Sequence, residues 1–444
     1  MTIIYGILRF TSKSRVLYEK HKGIEFIEYK TNILYIVKTK KEYPSDRWAK
    51  VNIIDSNTLE LIEIIGMTCD HNIELSVLKS IYGLNYRYPE EWKLEKFNYT
   101  NNYTHNDSIM AYTVDNISTK DRDDAISIEY NENSIIIGIH IIDLVRMFGD
   151  KYMTFYQWSK QYISSAYWNA VENGMKGVFS DHIGDMLSLT EGNTYPCLSL
   201  FLTFDNTSKT VIKKEFKETS VMITKNLTYE EFGSMKDANI LRNLVGSFPS
   251  EVLPSEVLPS EVLPAEELVA WCMIQYNMYI ASYTEKNYVL RVQENYDFAK
   301  YDYMGTHAHF NTHYTHATSP IRRFVDFHNQ VVYHSPSFPK LNETELLQVN
   351  TRMSEIKEFH RREVVVSLAY MYKMKPMIVS AMIICIEEER MIQIMIQDKR
   401  VRIPLCDTYY AEMICSQLEE GKEYNMEIFG IHKNGKATLR IRLL

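Results

Sequence analysis

Short runs that alternate apolar and polar residues occupy the beginning of the chain and return at its end. Near the amino end, four such runs have the period of two that is typical of half-buried strands: 23–29, 32–37, 50–54 and 59–65. Four more near the carboxyl end repeat the pattern: 377–386, 391–397, 423–431 and 436–441. The alternation predicts a small OB-type β-barrel at each end, over residues 1–90 and 375–444.

The middle of the chain mixes the periods of strands and helices. Two strand-like runs, 125–130 and 134–142, flank a short polar turn and predict a β-hairpin. Residues 265–283 are apolar on nearly all sides, which predicts a buried helix, and residues 342–372 have the 3,4 spacing of a second, longer helix. We therefore predict an α+β protein with a central mixed α/β domain at 112–374, preceded by a polar connector at 91–111.

A repeat interrupts this central domain. Residues 249–264 contain three consecutive copies of Ser-Glu-Val-Leu-Pro. A proline at every fifth position removes amide donors and prevents a continuous helix, so we predict an exposed, extended insert. A tolerated loop expansion is the favoured interpretation, since loops accept insertions at little thermodynamic cost, and a docking role is the alternative.

Composition narrows the class of protein. The chain has 444 residues, 45 % of them hydrophobic, but no signal-peptide layout and no apolar stretch long enough to cross a bilayer, which predicts a cytoplasmic protein without a membrane partner. Its six cysteines are scattered without a C-x-x-C pair, which argues against a disulfide framework or a structural zinc site. The net charge is −8, yet residues 1–50 hold 11 Lys and Arg against 5 Asp and Glu, so a basic path for nucleic acid is compatible with the acidic total.

Four aspartates within ten residues are the first candidate site. Asp115, Asp121, Asp123 and Asp124 lie beside the predicted hairpin, and carboxylates this close repel one another unless a cation compensates them. Hard oxygen ligands favour Mg²⁺, with Mn²⁺ as an alternative.

Two other interpretations of these aspartates are a solvated acidic turn and a calcium loop of the EF-hand type. The calcium loop is disfavoured because it requires a glycine where Ile126 stands and an oxygen ligand where Ala125 stands. The alternation of residues 125–130 also favours a strand over such a loop.

A second candidate site follows Thr315. Ser319 as an N-cap and Pro320 as the first helical residue predict a helix start there. Arg322 and Arg323 would then oppose the helix dipole, so we expect them to face an anion such as phosphate, or one of them to pair with Asp326.

Four histidines precede these arginines. Their spacing matches no tetrahedral zinc site closely, so we favour hydrogen-bonding or packing roles for them over zinc ligation: His307, His309, His313 and His316.

Three motifs together resemble the RNB catalytic domain of the RNase II family of exoribonucleases. They are Val114-Asp115-x5-Asp121-Arg122-Asp123-Asp124-Ala125, Ile139-His140-Ile141-Ile142-Asp143-Leu144, and the stretch from Tyr314 to Asp326 that includes Ser319-Pro320-Ile321-Arg322-Arg323. Residues 61–84 also resemble the end of the cold-shock-type OB barrel that precedes this domain. One departure is that the family's usual Met-Leu-Pro appears here as Met186-Leu187-Ser188.

The resemblance implies a Mg²⁺-dependent hydrolase that degrades single-stranded RNA from its 3′ end and releases nucleoside 5′-monophosphates. By this likeness Asp115, Asp121 and Asp124 would hold Mg²⁺, Asp123 would orient the attacking water or a ligand, and Arg322 would neutralise charge on the phosphoryl oxygens. The resemblance further implies RNA contacts by Tyr167, Arg323 and His316. We also predict a monomer.

Two other functions stay open at this stage. The departures from the family pattern are compatible with a catalytically inactive RNB-like protein that binds RNA or acts as a scaffold. A metal-regulated adaptor that binds partners through the Ser-Glu-Val-Leu-Pro repeats is a more remote alternative.

Overall fold

The computed structural model describes most of the chain in two compact units. The first unit comprises Met1–Arg87, Ala166–Lys176 and Glu355–Leu444, and the second comprises Tyr88–Ser165 and Gly177–Ser354. The residues described are 2–12, 16–18, 21–54, 59–97, 108–168, 174–245, 263–283, 287–294, 298–373, 375–387, 391–396, 399–404 and 418–444. Nearly all of the predicted insert at 249–264, together with Cys406 and Cys415, therefore lies outside the described residues, and the predicted domain boundaries stay predictions.

The secondary structure follows the chain in three stretches. The first contains β1 (Thr2–Leu8), β2 (Val16–Tyr18), β3 (His21–Glu28), β4 (Leu34–Lys38), β5 (Arg47–Ile53), β6 (Leu59–Met67) and α1 (His71–Ile81). The middle contains β7 (Ile109–Asp115), β8 (Asp124–Tyr130), β9 (Ser134–Ile142), α2 (Leu144–Phe148), α3 (Tyr152–Tyr162), β10 (Ala166–Trp168), β11 (Gly174–Lys176), α4 (Asp181–Leu187), β12 (Thr194–Asp205), β13 (Val211–Thr228), α5 (Tyr229–Gly233), α6 (Lys236–Val245), α7 (Ala265–Ala281), β14 (Leu290–Val292), β15 (Lys300–Asp302) and α8 (Phe324–His334). The last contains α9 (Glu343–Met371), β16 (Met377–Glu387), β17 (Met391–Ile396), β18 (Lys399–Pro404), β19 (Glu423–Lys433) and β20 (Lys436–Leu443).

Two antiparallel sheets form most of the first unit. The sheet near the amino end has the strand order β2-β3-β1-β5-β6, with β4 on β3, and the sheet near the carboxyl end has the order β18-β17-β16-β19-β20. Alternating strand residues fill both interiors, with Phe26 and Trp48 in the first sheet and Ile394 and Ile428 in the second. The apolar residues that alternate along the sequence are therefore those whose side chains are buried inside the sheets.

A closed barrel forms the centre of the second unit. Its strands follow the order β12-β13-β7-β8-β9, in which β13 and β7 pair in parallel and the other described pairs are antiparallel. Helix α7 packs against this barrel through Trp271 and Cys272, which are fully buried with the isoleucines of β9. This explains why α7 is apolar on nearly all sides.

A buried polar belt crosses the barrel at His140. His140 Nε2 is hydrogen-bonded to Ser127 Oγ at 2.9 Å, and His140 Nδ1 to Ser199 Oγ at 2.7 Å. Ser199 in turn bonds Thr219 Oγ1. Burial lowers the pKa of His140 to about 3, so the imidazole is neutral and both of its nitrogens are satisfied. His140 in the second family motif is therefore a structural residue.

The predicted fold class is confirmed, with a mixed α/β centre and β-rich ends. The predicted strands 125–130 and 134–142 correspond to β8 and β9, and the predicted helix 265–283 corresponds to α7. No helix in the described part of the chain combines the length and the apolarity that crossing a membrane requires.

Candidate active site

The aspartates lie where two neighbouring strands of the barrel are joined. Asp115 is the last residue of β7 and Asp124 is the first residue of β8, and these strands pair antiparallel. The end of one strand of such a pair lies beside the start of the next, so both carboxylates come to the same edge of the barrel. Asp121 and Asp123 are buried in the connection between them. Because residues 124–130 form a strand, they cannot form the calcium loop considered as an alternative.

Asp123 is the most enclosed of the four. Its Oδ1 accepts a hydrogen bond from the Ile321 backbone N–H, and its Oδ2 accepts one from Arg322 Nε, both at 2.8 Å. Burial raises the pKa of Asp123 to about 7, because the charge of Asp121 adds to the burial and Arg322 opposes them only in part. The aspartate motif and the arginine motif, about 200 residues apart in sequence, thus meet at one charge-assisted pair.

The segment around Arg322 is a turn rather than the first turn of a helix. The prediction of a helix start at Ser319-Pro320 was wrong, since α8 begins at Phe324. Tertiary contacts account for the difference, because Ser319 N–H donates to Asp326 Oδ1 and Ile321 N–H donates to Asp123. These backbone groups are therefore held by side chains, and Arg322 is directed toward Asp123.

A strained residue helps to hold this turn. Ser165 N–H donates to the Arg322 carbonyl at 2.9 Å, and Phe324 N–H donates to the Ile163 carbonyl at 2.8 Å. Ile163 has φ 67°, a left-handed conformation that costs a β-branched residue about 1–2 kcal/mol. The packing and hydrogen bonds around Ile163 therefore offset this backbone strain, at the residue whose carbonyl binds the end of the Arg322 turn.

Asp124 and Asp115 complete an acidic group whose pKa values are raised. Burial raises the pKa of Asp124 to about 8, and the charges of Asp115 and Asp123 raise it further. The carboxylate of Asp124 accepts no hydrogen bond from any residue that the structure describes. Burial also raises the pKa of Asp115, against the opposing charges of Arg122, whose Nε is 3.9 Å from Asp115 Oδ2, and of Arg322.

The charge balance of this group fits a hard divalent cation. Among the described residues, the charges that oppose these carboxylates are those of two guanidinium groups, Arg122 and Arg322. Oxygen donors of this kind suit Mg²⁺ or Mn²⁺. Within the described ranges, no three His, Cys, Asp or Glu residues form a ready-made coordination shell, and Asp123 is engaged with Arg322. The donor chemistry therefore fits the predicted metal, although the coordination geometry is not preformed.

The loop that carries the aspartates is held by Ser188, which the sequence marked as a departure from the family but without a role. Ser188 Oγ donates to the Lys120 carbonyl at 2.7 Å and accepts from Arg122 N–H at 3.0 Å, and Leu189 N–H donates to the Arg122 carbonyl. Ser188 is the serine that stands where the resembled family has proline. Its hydroxyl gives the departure a structural role in positioning Asp121 and Asp123.

Tyr229 is a second neighbour of the site that the sequence did not reveal. It follows Thr228, which pairs with Asp115 in the β13–β7 ladder. Burial raises the pKa of Tyr229 to about 12, with further contributions from the charges of Asp115 and Asp124. The sequence signal was only a capping box, Thr228 to Glu231, which marks the start of α5 and does not indicate a role in a site.

The predicted RNA-binding residues occupy different surroundings. Arg323 NH2 donates to Asp326 Oδ1 at 2.8 Å, which confirms that one of the two arginines pairs with Asp326. His316 Nδ1 is hydrogen-bonded to Tyr301 Oη at 2.7 Å. Tyr167 belongs to the first unit, where its N–H donates to His360 Nε2 at 3.0 Å, so a contact of Tyr167 with substrate stays a prediction.

The other histidines have hydrogen-bonding or packing roles, as predicted. His313 Nδ1 is hydrogen-bonded to the Gly305 carbonyl at 2.8 Å. The rings of His307 and Phe310 lie 5.0 Å apart, and burial lowers the pKa of His307 to about 4.

Comparison with known proteins places this site in a family. The model of the RNB domain matches residues 104–245, which include all four aspartates. No curated protein matches the chain. Residues 104–245 therefore match the RNB domain, which confirms the resemblance predicted from the sequence.

Solved structures extend the likeness in fold over nearly the whole chain. RNase R of Mycoplasma genitalium in complex with ribose-methylated single-stranded RNA is 13 % identical with a TM-score of 0.68, over 99 % of this chain and 89 % of that one. Yeast Ssd1, a pseudonuclease, is 11 % identical with a TM-score of 0.69, over 100 % of this chain and 83 % of that one. An active-site mutant of the Dss1 exoribonuclease from Candida glabrata is 15 % identical with a TM-score of 0.56, over 82 % and 61 %. Similar folds thus include both exoribonucleases and a pseudonuclease, so activity has to be argued from the site.

Proposed function

We propose that the protein is a Mg²⁺-dependent exoribonuclease that hydrolyses single-stranded RNA from the 3′ end and releases nucleoside 5′-monophosphates. The observation that carries this proposal is the pair between buried Asp123 and Arg322 inside a group of four neighbouring carboxylates, three of which have raised pKa values. A purely structural carboxylate cluster would be expected to have its charge balanced by the protein, whereas this one is compatible with binding a cation from solution.

Asp115, Asp121 and Asp124 would hold the metal. When bound, Mg²⁺ lowers the pKa of a bound water and stabilises the oxygens of the phosphoryl group. Asp123 retains free lone pairs on both carboxylate oxygens, and with these it would orient the attacking water. Arg322 would neutralise charge that develops on the phosphoryl oxygens, since it already points its Nε at the acidic group.

The fold supports single-stranded RNA as the substrate class. RNase R of Mycoplasma genitalium has a similar fold and was solved with single-stranded RNA and with double-stranded RNA. The positive charge of residues 1–50 is consistent with a polyanionic partner. The monomeric state and the cytoplasmic localisation predicted from the sequence stay predictions.

A 5′-labelled single-stranded RNA tests this function. With Mg²⁺ the protein should give a ladder of products shortened from the 3′ end, and EDTA should abolish it. Asp123→Asn should stop turnover and leave RNA binding intact. The second candidate function is a catalytically inactive RNA-binding protein, which the fold of the Ssd1 pseudonuclease favours. Intact RNA that the wild-type protein binds tightly in the presence of Mg²⁺ would support this second function and contradict the first.

A further inference from the structure

The second unit contains three buried or half-buried arginines at or next to the turn described above, and two of them pair with carboxylates. Arg322 pairs with Asp123 and Arg323 pairs with Asp326, each at 2.8 Å. The third, Arg291, is 7 % exposed and makes no hydrogen bond or ion pair through its guanidinium to any residue in the described part of the chain. A buried charge without a partner is costly, so Arg291 requires an explanation.

The backbone brings Arg291 to the arginine turn. Its N–H donates to the Tyr314 carbonyl at 2.8 Å, and Leu290 forms a bridge with Thr315. Residues 314 and 315 lead directly into the turn that carries Arg322 and Arg323. The geometry therefore places Arg291 beside the chain segment that enters the candidate active site.

The surroundings of Arg291 are positive and aromatic. Its guanidinium lies 4.8 Å from the ring centroid of Tyr301, an arrangement typical of cation–π contact. Burial lowers the pKa of Arg291, and the charge of Arg323 lowers it further. Arg323 Nε is itself buried without a hydrogen-bond partner in the described ranges. Two guanidinium groups with unused donors thus face a region where Asp326 supplies the only carboxylate partner found among the described residues.

We propose that Arg291, supported by Arg323, forms a second phosphate-binding subsite, separate from Arg322, that takes a phosphodiester group of the RNA strand. This inference rests on the proposed function for the identity of the strand. The planar fork of a guanidinium matches phosphate oxygens in a bidentate manner, and the ring of Tyr301 fixes its plane. Such a subsite would hold the strand next to the reacting phosphate and thereby set its register.

The test measures RNA binding without turnover, in an Asp123→Asn background. Arg291→Met should weaken binding about ten- to hundredfold and should reduce the slope of log affinity against log salt by about 0.7, the value for one phosphate contact to a single strand. Arg242→Met is the matched control, because the Arg242 guanidinium is fully engaged with Leu263, Gly233 and Asn239. Its salt slope should be unchanged. An unchanged slope and affinity in folded Arg291→Met would overturn the subsite.

Neutral methylphosphonate linkages, placed one at a time near the 3′ end, identify the phosphate. One position should weaken binding to the parent protein but have no further effect on Arg291→Met. Equal effects on both proteins at every position would contradict the assignment. If Arg291→Met does not fold, Arg291→Lys replaces it. If neither variant folds, the methylphosphonate series is measured on the Asp123→Asn protein alone. It must then show two separate linkages at which loss of charge weakens binding, and a single such linkage would overturn the proposal.

A free phosphate is the other source of the same chemistry. Inorganic phosphate and 5′-AMP should compete weakly with RNA and should not reproduce the position-specific coupling. If 5′-AMP competes with RNA on the parent protein but not on Arg291→Met, and no linkage shows coupling to Arg291, the site binds a product nucleotide. This result would contradict binding of the strand. None of these binding measurements needs turnover, so the two proposals can fail separately. If Arg291 is coupled to one linkage but the wild-type protein leaves RNA intact, the nuclease proposal alone is refuted. If the wild-type protein gives a normal ladder but Arg291 is coupled to no linkage, the subsite alone is refuted.

Discussion

Two carboxylates, buried Glu74 in the first unit and half-buried Asp124 in the second, show how differently the protein treats charge. Glu74 on α1 accepts hydrogen bonds from Ala437 N–H and Tyr370 Oη, each at 3.0 Å, and Arg362 and Lys436 oppose the effect of burial on its pKa. Asp124 on β8 accepts no hydrogen bond from the described residues, and its charged neighbours Asp115 and Asp123 raise its pKa further. The first carboxylate connects α1 to β20 and to α9, whereas the charge of the second is opposed only in part, by Arg322.

We expect this contrast to separate a structural acid from one that serves the proposed function. Burial raises the pKa of both groups, so a shifted pKa alone does not identify a site. The distinguishing feature is whether the protein itself supplies the hydrogen bonds and the opposing charges. Glu74 has them, whereas Asp124 accepts no hydrogen bond from the described residues, and under the proposed function a metal ion would supply the missing positive charge.

The largest expected effect comes from replacing Asp124 by its neutral isostere. Asp124→Asn should lower the rate of RNA hydrolysis by about a thousandfold or more, because it removes a metal-binding oxygen. The same change should raise the free energy of unfolding of the metal-free protein by about 1–3 kcal/mol, since the Asp124 carboxyl has to take up a proton or carry a poorly balanced charge in the folded state. Single-turnover kinetics and urea unfolding in EDTA check both effects. If Asp124→Asn keeps its activity, or if it is less stable than wild type without metal, the contrast drawn between Asp124 and Glu74 is wrong.

The next effect concerns the arginine that faces the acidic group. Arg322→Lys should lower the rate about a hundredfold, because an ammonium cannot keep both the contact with Asp123 and the one with Ser319 Oγ. Arg242→Lys serves as a control outside the site and should leave the rate unchanged. A rate for Arg322→Lys within a factor of about three of wild type would exclude the proposed role.

Glu74→Gln is the matched acid-to-amide change in the first unit, and the opposite effect on stability is expected. The amide cannot accept from both Ala437 N–H and Tyr370 Oη as the carboxylate does, so the free energy of unfolding should fall by about 1–3 kcal/mol. The activity per folded molecule should be unchanged. Thermal unfolding and RNA hydrolysis, measured on the same sample, test this. A loss of activity without loss of stability would remove the distinction between the two carboxylates.

The smallest effect is a pH dependence in the second unit. Burial lowers the pKa of His334, but its hydrogen bond to Asp143 at 2.8 Å and nearby negative charge outweigh this, so the net pKa is raised above 6.5. The folded state therefore binds the proton more tightly than the unfolded state. The resulting stabilisation is complete below about pH 6.5 and is lost as the pH rises through the raised pKa. The difference in unfolding free energy between wild type and His334→Gln should accordingly shrink between pH 6 and pH 9, and a constant difference would contradict this account.

Local pattern was sufficient where burial follows sequence period. The alternation of residues 125–130 and 134–142 predicted β8 and β9 to within one residue, and the uniform apolarity of residues 265–283 predicted α7. Local pattern also missed β1 and α1, because Thr2–Leu8 contains few polar residues to mark an alternation and His71–Ile81 was interpreted as part of a barrel. The aspartate cluster was evident from the sequence because its four members are nearly adjacent.

Contacts between distant segments could not be predicted in this way. The helix start at Ser319 was wrong because Asp123 and Asp326 take the backbone N–H groups of the turn, and no local signal reports either contact. Ser188 and Tyr229 were missed for the same reason, since each acts through a partner more than 60 residues away. The family resemblance predicted that Arg322 and the aspartates belong to one site. The structure shows the contact between them, which is the hydrogen bond from Arg322 Nε to Asp123 Oδ2.

A direct measurement of metal binding tests the central claim, which is that the aspartate group binds a metal cation from solution. Mn²⁺ can be titrated into wild type, Asp124→Asn and Glu74→Gln, with the free ion measured by electron paramagnetic resonance. We predict that wild type and Glu74→Gln bind Mn²⁺ alike and that Mg²⁺ displaces it, while Asp124→Asn loses this binding. Equal binding by wild type and Asp124→Asn, or no binding by wild type, would contradict the account.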